Sequence, residues 1–149
     1  MYKVSFANAD LKANFRNKNK LRRFLAEIFK LESKSLYLIQ YVFCSDDYLI
    51  QINRSFLGHD NYTDIITFDL SEGSETTGEI YISTERVVEN AQSLQTGFQH
   101  ELQRVIFHGA LHLCGYKDKT KSEIIAMRDK EDYYLRLFDL WTEKANTHI

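Results

Sequence analysis

Two histidines, His108 and His112, stand four residues apart in the stretch His108-Gly109-Ala110-Leu111-His112. On an α-helix, positions four apart lie about 40° from each other around the axis, so both imidazoles leave one face. Gly115 follows three residues after His112, and Asp118 comes three residues later. Glycine readily takes the left-handed conformation that ends a helix, so the chain can turn there and bring Asp118 back toward the pair. Two imidazoles and one carboxylate make three ligands with an open fourth position, the pattern of a catalytic rather than a structural zinc site. His108, His112 and Asp118 are therefore the candidate ligands and the candidate catalytic centre. One Zn²⁺ per chain is the expected cofactor, and other divalent ions are compatible with the donor set.

The spacing His-x-x-x-His-x-x-Gly-x-x-Asp is that of zincin proteases that take a third ligand from beyond a glycine bend, with Asp in place of the third His. The zincin motif also carries a glutamate directly after the first histidine, as general base. Here that position is Gly109. A peptide hydrolase of this type lacks its proton acceptor, which leaves a metalloprotease as the second choice. Phosphodiester cleavage fits better, because a metal both acidifies a bound water and neutralises a phosphoryl oxygen. Two histidines and a carboxylate also make the facial triad of non-haem iron oxygenases. A binding module with a purely structural metal is the non-enzymatic alternative.

Several elements must position this site. Residues 2–6 alternate apolar and polar and predict a short strand. Residues 17–31 place Leu21, Phe24, Leu25 and Ile28 at helical spacing, with Lys18, Lys20, Arg22, Arg23 and Lys30 on the other face, which reads as a solvated face rather than a polyanion site. Residues 36–43 are apolar on both alternating faces and predict an interior strand covered on both sides. Ser45 caps a helix to about Leu57, favoured by Asp46 and Asp47 in its first turn, and Gly58 closes it. A polar loop, 59–64, leads to strands at 65–70 and 79–83, joined by the loop 71–78 and expected to pair antiparallel.

Ser83 caps a further helix with Val87, Val88, Ala91 and Leu94 as its apolar stripe. After Gly97 the histidine helix spans about 98–113, with Phe98, Leu102, Val105 and Ile106 toward the core. Thr120 and Glu123 form a capping box opening a last helix that packs through Ile124, Met127, Tyr134, Leu135, Phe138 and Trp141. The order β-α-β-α-β-β-α-α-α predicts an α+β fold: a small mixed sheet of about four strands with about five helices and a zincin-like metal helix.

The 149 residues fit one domain, 1–149. Nineteen basic and 21 acidic residues leave a net charge of −2, so any polyanion site must be local. No apolar run approaches the roughly 18 residues of a membrane span, and no signal-peptide core opens the chain. Cys44 and Cys114 make no disulfide framework. A cytoplasmic location is the default expectation, and Cys114 reads as a core hydrophobe.

His108-Gly-x-Leu-His112-Leu-x-Gly115-Tyr116 resembles the signature of the YbeY family, bacterial metal-dependent endoribonucleases implicated in ribosomal RNA maturation. The resemblance extends upstream through Ile52-Asn53, Asp60, the segment Thr63-Asp64-Ile65-Ile66-Thr67-Phe68 and the segment Gly78-Glu79-Ile80-Tyr81-Ile82-Ser83, and downstream to Met127 and Glu131. It implies a single-strand-specific endoribonuclease acting in rRNA maturation and ribosome quality control. The implied partners are ribosomal RNA or the small ribosomal subunit, with no membrane.

Two departures bear on the site. The family's third histidine ligand is Asp118 here, and the arginine that usually precedes the Thr-Asp segment is Leu57. His59, or Arg104 one turn before His108, is a candidate replacement cation or proton donor; an exposed loop histidine and a salt-bridged arginine are the structural alternatives. Lys117 and Lys119, with Lys121, crowd the third ligand and are candidate phosphate contacts, although a solvated turn explains them equally well. Thr63 and Asp64 are candidates for the cleft edge, and Tyr62, where the family has proline, is structurally neutral or a stacking surface for a base.

Overall fold

The computed structural model describes residues 1–141. Nine elements follow in the expected order: β1 (Lys3–Asn8), α1 (Lys18–Leu31), β2 (Ser35–Cys44), α2 (Asp46–Leu57), β3 (Ile65–Asp69), β4 (Glu75–Ser83), α3 (Thr84–Ser93), α4 (Phe98–Leu113) and α5 (Lys121–Leu140). The strands form one mixed sheet in the order β1-β2-β4-β3. β1 and β4 flank β2 in parallel, and β3 pairs antiparallel with β4 as its short connection requires.

The caps form as their residue types dictate. Ser45 Oγ accepts from Tyr48 N, Ser83 Oγ accepts from Arg86 N, and Gly58 closes α2 at a φ of 67°. Thr120 and Glu123 bond reciprocally in a full capping box.

The main core lies between one face of the sheet and α1, α4 and α5. Ile39, Tyr41 and Phe43 of β2 and Ile80 and Ile82 of β4 meet Phe24 and Ile28 of α1, Ile106 and Phe107 of α4 and Phe138 of α5. The buried Tyr41 hydroxyl donates to Ile106 O at 2.8 Å, tying the sheet to the helix that carries the histidines. A smaller cluster, Cys44, Leu49 and Ile66, sits under α2. Both cysteines are free and buried, so Cys114 is the core hydrophobe its sequence context suggests.

Four details differ from the sequence expectation. β4 starts at Glu75, because Thr76 and Thr77 continue the pairing with β2 despite Gly78; the connecting loop is correspondingly shorter. β2 is interior by pairing but fully covered on one face only: Tyr37 is exposed, and Leu38, Gln40 and Val42 are half-buried. On α3, Val88 is exposed, as is Leu94 at its C-cap, and Thr84, Val87 and Ala91 make the buried face. Ile124 of α5 is exposed, since the helix turns its first turn away from the core and buries Met127, Glu131, Tyr134, Leu135 and Phe138.

The approach of α4 to the sheet is close at Gly109. A Cβ there would stand 2.9 Å from Ile80 Cδ1 and 3.1 Å from Ile65 Cδ1. The missing glutamate of the zincin pattern thus has a packing reason, because a side chain here would press on Ile80 of β4 and Ile65 of β3.

Candidate metal centre

α4 presents His108 and His112 on its open face, with ring centroids 4.6 Å apart. The helix ends at Leu113, and Gly115 at a φ of 107° reverses the chain in the conformation that favours glycine. Gly115 N donates to His112 O and Tyr116 N donates to Leu111 O, each at 3.0 Å, which seals the turn. The return brings Asp118 Oδ2 to 3.1 Å from His108 Nε2 and 3.2 Å from His112 Nε2. One atom from each of these three residues lies within 4.8 Å of the others.

The opposite nitrogens decide whether the group suits a metal. His108 Nδ1 lies 2.6 Å from Glu131 Oε2, and His112 Nδ1 lies 2.9 Å from the carbonyl oxygen of Tyr116. A carboxylate and a carbonyl only accept, so each Nδ1 donates its proton there, and in the neutral ring that leaves the Nε2 lone pair for an ion. Both lone pairs belong to nitrogens beside Asp118. Ligands on a tetrahedral ion with bonds of about 2.0–2.1 Å stand about 3.3 Å apart, close to the separations here. The donor set fits a divalent ion, with oriented imidazoles in the manner of carboxylate–histidine–zinc sites.

Glu131 is the site residue that motif reading left without a role. It is buried on α5 and accepts from Arg104 Nη1 at 2.9 Å. Arg104 Nη2 donates to Asp132 at 2.7 Å, and Arg128 Nη1 stands 3.7 Å from Glu131. Arg104 is thus fixed by two carboxylates and sits one step behind the histidines, supporting Glu131. Burial alone would lower the His108 pKa, but the hydrogen bond and charge of Glu131, followed by Asp118 and Asp64, raise it.

A cleft of about 760 Å³ opens over these groups. His59, Thr63, Asp64, Arg104 and Lys119 line it together with His108, His112 and Asp118, as do Leu57 and Arg128; Lys117 is not among the lining residues. Of β3, Ile65, Ile66, Thr67 and Asp69 line the cleft, and Leu70 lies beyond the strand. Thr63 Oγ1 makes a local bond to Ile65 O at 3.3 Å. Asp64 accepts from Asn90 Nδ2 at 3.4 Å, and its pKa is raised chiefly by burial. Buried Asn53 donates to Asn61 O at 2.8 Å and so pins the loop that carries His59 and Thr63. Tyr62 is half-exposed, with the Arg86 guanidinium 5.3 Å from its ring centre.

The family model described as Endoribonuclease YbeY matches residues 4–139. The chain belongs to the YbeY family. It is 45% identical over 135 residues to the Endoribonuclease YbeY of Flavobacterium psychrophilum, covering 91% of this chain and 96% of that one. Identity to the protein of the same name from Cytophaga hutchinsonii is 48% over 135 residues, covering 90% and 94%. For that of Christiangramia forsetii it is 50% over 117 residues, covering 78% and 82%. A solution structure of a Thermotoga maritima protein superposes with a TM-score of 0.61 at 28% identity, over 91% of this chain and 89% of that one. The YbeY signature therefore maps onto α4 and the turn after it, and its upstream Thr-Asp segment onto the cleft wall.

Proposed function

We propose that this YbeY-family chain is a metal-dependent endoribonuclease that hydrolyses phosphodiester bonds of single-stranded RNA, with ribosomal RNA as its substrate and the small ribosomal subunit as its setting. The convergence of both Nε2 atoms on Asp118, with both Nδ1 atoms held from behind, is the observation that carries this reading.

His108, His112 and Asp118 hold the ion, proposed to be Zn²⁺. When bound, it supplies Lewis-acid polarisation of the scissile phosphate and acidifies a water. The protein's own part is orientation and charge. Glu131 keeps the Nδ1 proton on His108, and Arg104 holds Glu131 in place, so Arg104 acts as a positioning residue. Lys119 and Arg128 at the cleft draw the RNA backbone. To His59, exposed at the same cleft, we assign the proton for the leaving oxygen. Thr63 and Asp64 shape the opposite edge. Gly109, packed against Ile80 and Ile65, leaves no place for the base a zincin protease needs.

One domain over 1–149 carries the activity in this reading, in the cytoplasm. Among the described residues no helix is long and apolar enough to cross a membrane. The test incubates purified protein with single-stranded RNA, with and without a chelator, beside His112→Ala. Cleavage by the metal-loaded wild type alone is expected. Equal cleavage in all three samples would sink the proposal.

A further inference from the structure

We infer that Glu32, at the end of α1, is a positioning residue of the metal centre, acting through Tyr116 to fix His112 and the return of Asp118.

Glu32 lies 84 residues before Tyr116, and its carboxylate is where α1, α5 and the turn after α4 meet. The Tyr116 hydroxyl donates to Glu32 Oε1 at 2.8 Å. The Tyr134 hydroxyl and Lys130 Nζ donate to Oε2, the latter at 3.1 Å. The Lys130 ammonium also stands 5.8 Å from the ring centres of both Tyr116 and Tyr134.

Tyr116 is the link between this carboxylate and the ligands. Its neighbours Gly115 and Lys117 are exposed, whereas Tyr116 packs against the main core. Its backbone N–H donates to Leu111 O, and its carbonyl accepts from His112 Nδ1. The hydroxyl at the far end of the ring reaches Glu32. The residue that sets the ring plane of His112 is thus held at three points, and Asp118 follows two positions later. The turn enters through a positive-φ glycine, and its far end is pinned where Lys119 N and Thr120 N donate to Glu123, so Tyr116 is the hold between the two.

α5 joins the two halves of the support. Lys130 engages Glu32, and the next residue, Glu131, engages His108. One stretch of α5 therefore orients His108 directly and His112 indirectly. Partners behind histidine ligands typically contribute about 10- to 100-fold in metal affinity. Glu32 touches neither imidazole, so its effect has to pass through Tyr116.

This inference rests on the proposed metal site, and its test separates the two. Zn²⁺ affinity is measured by competition with a chromophoric chelator, and thermal melting of the metal-free proteins is recorded alongside. The samples are wild type, His112→Ala, Tyr116→Phe, Glu32→Ala, the double variant, Glu32→Gln and Tyr134→Phe. Tyr116→Phe removes one oxygen and leaves the carbonyl in place. It and Glu32→Ala are expected to weaken Zn²⁺ about tenfold, the double variant no further, and Glu32→Gln, which still accepts the tyrosine proton, much less. Tyr134→Phe should lower the melting temperature while leaving affinity within about twofold of wild type. Zn²⁺ binding by wild type that Tyr116→Phe fully retains would overturn the inference, whatever happens to melting. No Zn²⁺ binding by wild type would overturn the metal site itself. If Glu32→Ala does not fold, Tyr116→Phe decides alone.

Discussion

Glu131 Oε2 stands 2.6 Å from His108 Nδ1, on a carboxylate whose other oxygen is 2.9 Å from Arg104. An arginine, a glutamate and a histidine thus form one line ending at the Nε2 that faces Asp118. The order explains why a charged pair is kept in a largely buried place. The arginine neutralises the carboxylate, and the carboxylate fixes which nitrogen of His108 carries the proton.

Removing the middle member should therefore have two separable effects. Glu131→Gln keeps the shape and loses the charge, and is expected to weaken Zn²⁺ binding about tenfold with little change in fold. Glu131→Ala also strips Arg104 of one of its two carboxylates. It should cost about 3 kcal/mol, read as a melting temperature lower by about 6–12 °C. Equal melting of wild type and Glu131→Ala would show that the buried pair contributes nothing to stability.

Gly109 offers a steric prediction. Gly109→Ala gains about 1 kcal/mol of helix propensity but meets Ile80 and Ile65, and overpacking of this kind costs about 1–3 kcal/mol. A small net loss is expected in urea denaturation. Gly109→Glu would rebuild the zincin pattern in letters only. It should unfold the protein, seen by circular dichroism, and confer no caseinolytic activity.

Metal binding should appear as stability. A ligand that binds only the folded state at about 100 times its Kd adds about 2.7 kcal/mol. Zn²⁺ is expected to raise the melting temperature of the wild type, a chelator to reverse the change, and His112→Ala to show neither. A Zn²⁺-dependent rise of equal size in His112→Ala would place the ion elsewhere.

Glu32 predicts a pH dependence away from the metal. Burial pushes its pKa up, but hydrogen bonds from Tyr134, Tyr116 and Lys130 outweigh burial and leave it below the ordinary 4.5. A lowered folded pKa stabilises the native state above the unfolded value, and that contribution is lost as pH falls through the folded one. The difference in urea midpoint between wild type and Glu32→Gln should be constant above about pH 5.5 and shrink below pH 4.5. A difference that stays constant down to pH 3 would contradict this.

How much of this was legible in the chain depends on the kind of signal. The caps at Ser45, Ser83 and Thr120 and the glycine turn at Gly115 are local chemistry, and each forms where its residues stand. The histidine pair and Asp118 converge on one face, as helix period and the glycine turn suggest. Glu131 carried a weaker signal: it is a carboxylate at core spacing with Met127, Tyr134 and Leu135, where a lone charge has to have a partner. A salt bridge at Arg104 was among the readings the sequence allowed, but its partners, and the parts of Glu32 and the Tyr116 carbonyl, were not legible. They depend on which helices meet, and a backbone acceptor has no letter in the sequence. Gly109 showed an absent base, but its packing cause needed the sheet beneath it.

The last prediction concerns Leu57, which stands at the cleft where the family's resemblance places an arginine. It is 43% exposed, so a longer polar side chain fits without entering the core. Arg104 does not replace that charge, since its guanidinium is held by Glu131 and Asp132. Leu57→Arg therefore adds a free cation at the rim. It is expected to lower KM for single-stranded RNA at low salt and to leave melting within about 0.5 kcal/mol. One added phosphate contact should steepen the dependence of log affinity on log salt by about 0.7. Binding titrations of RNA across a salt series measure that slope directly. An unchanged slope would mean that the RNA backbone does not pass this edge of the cleft.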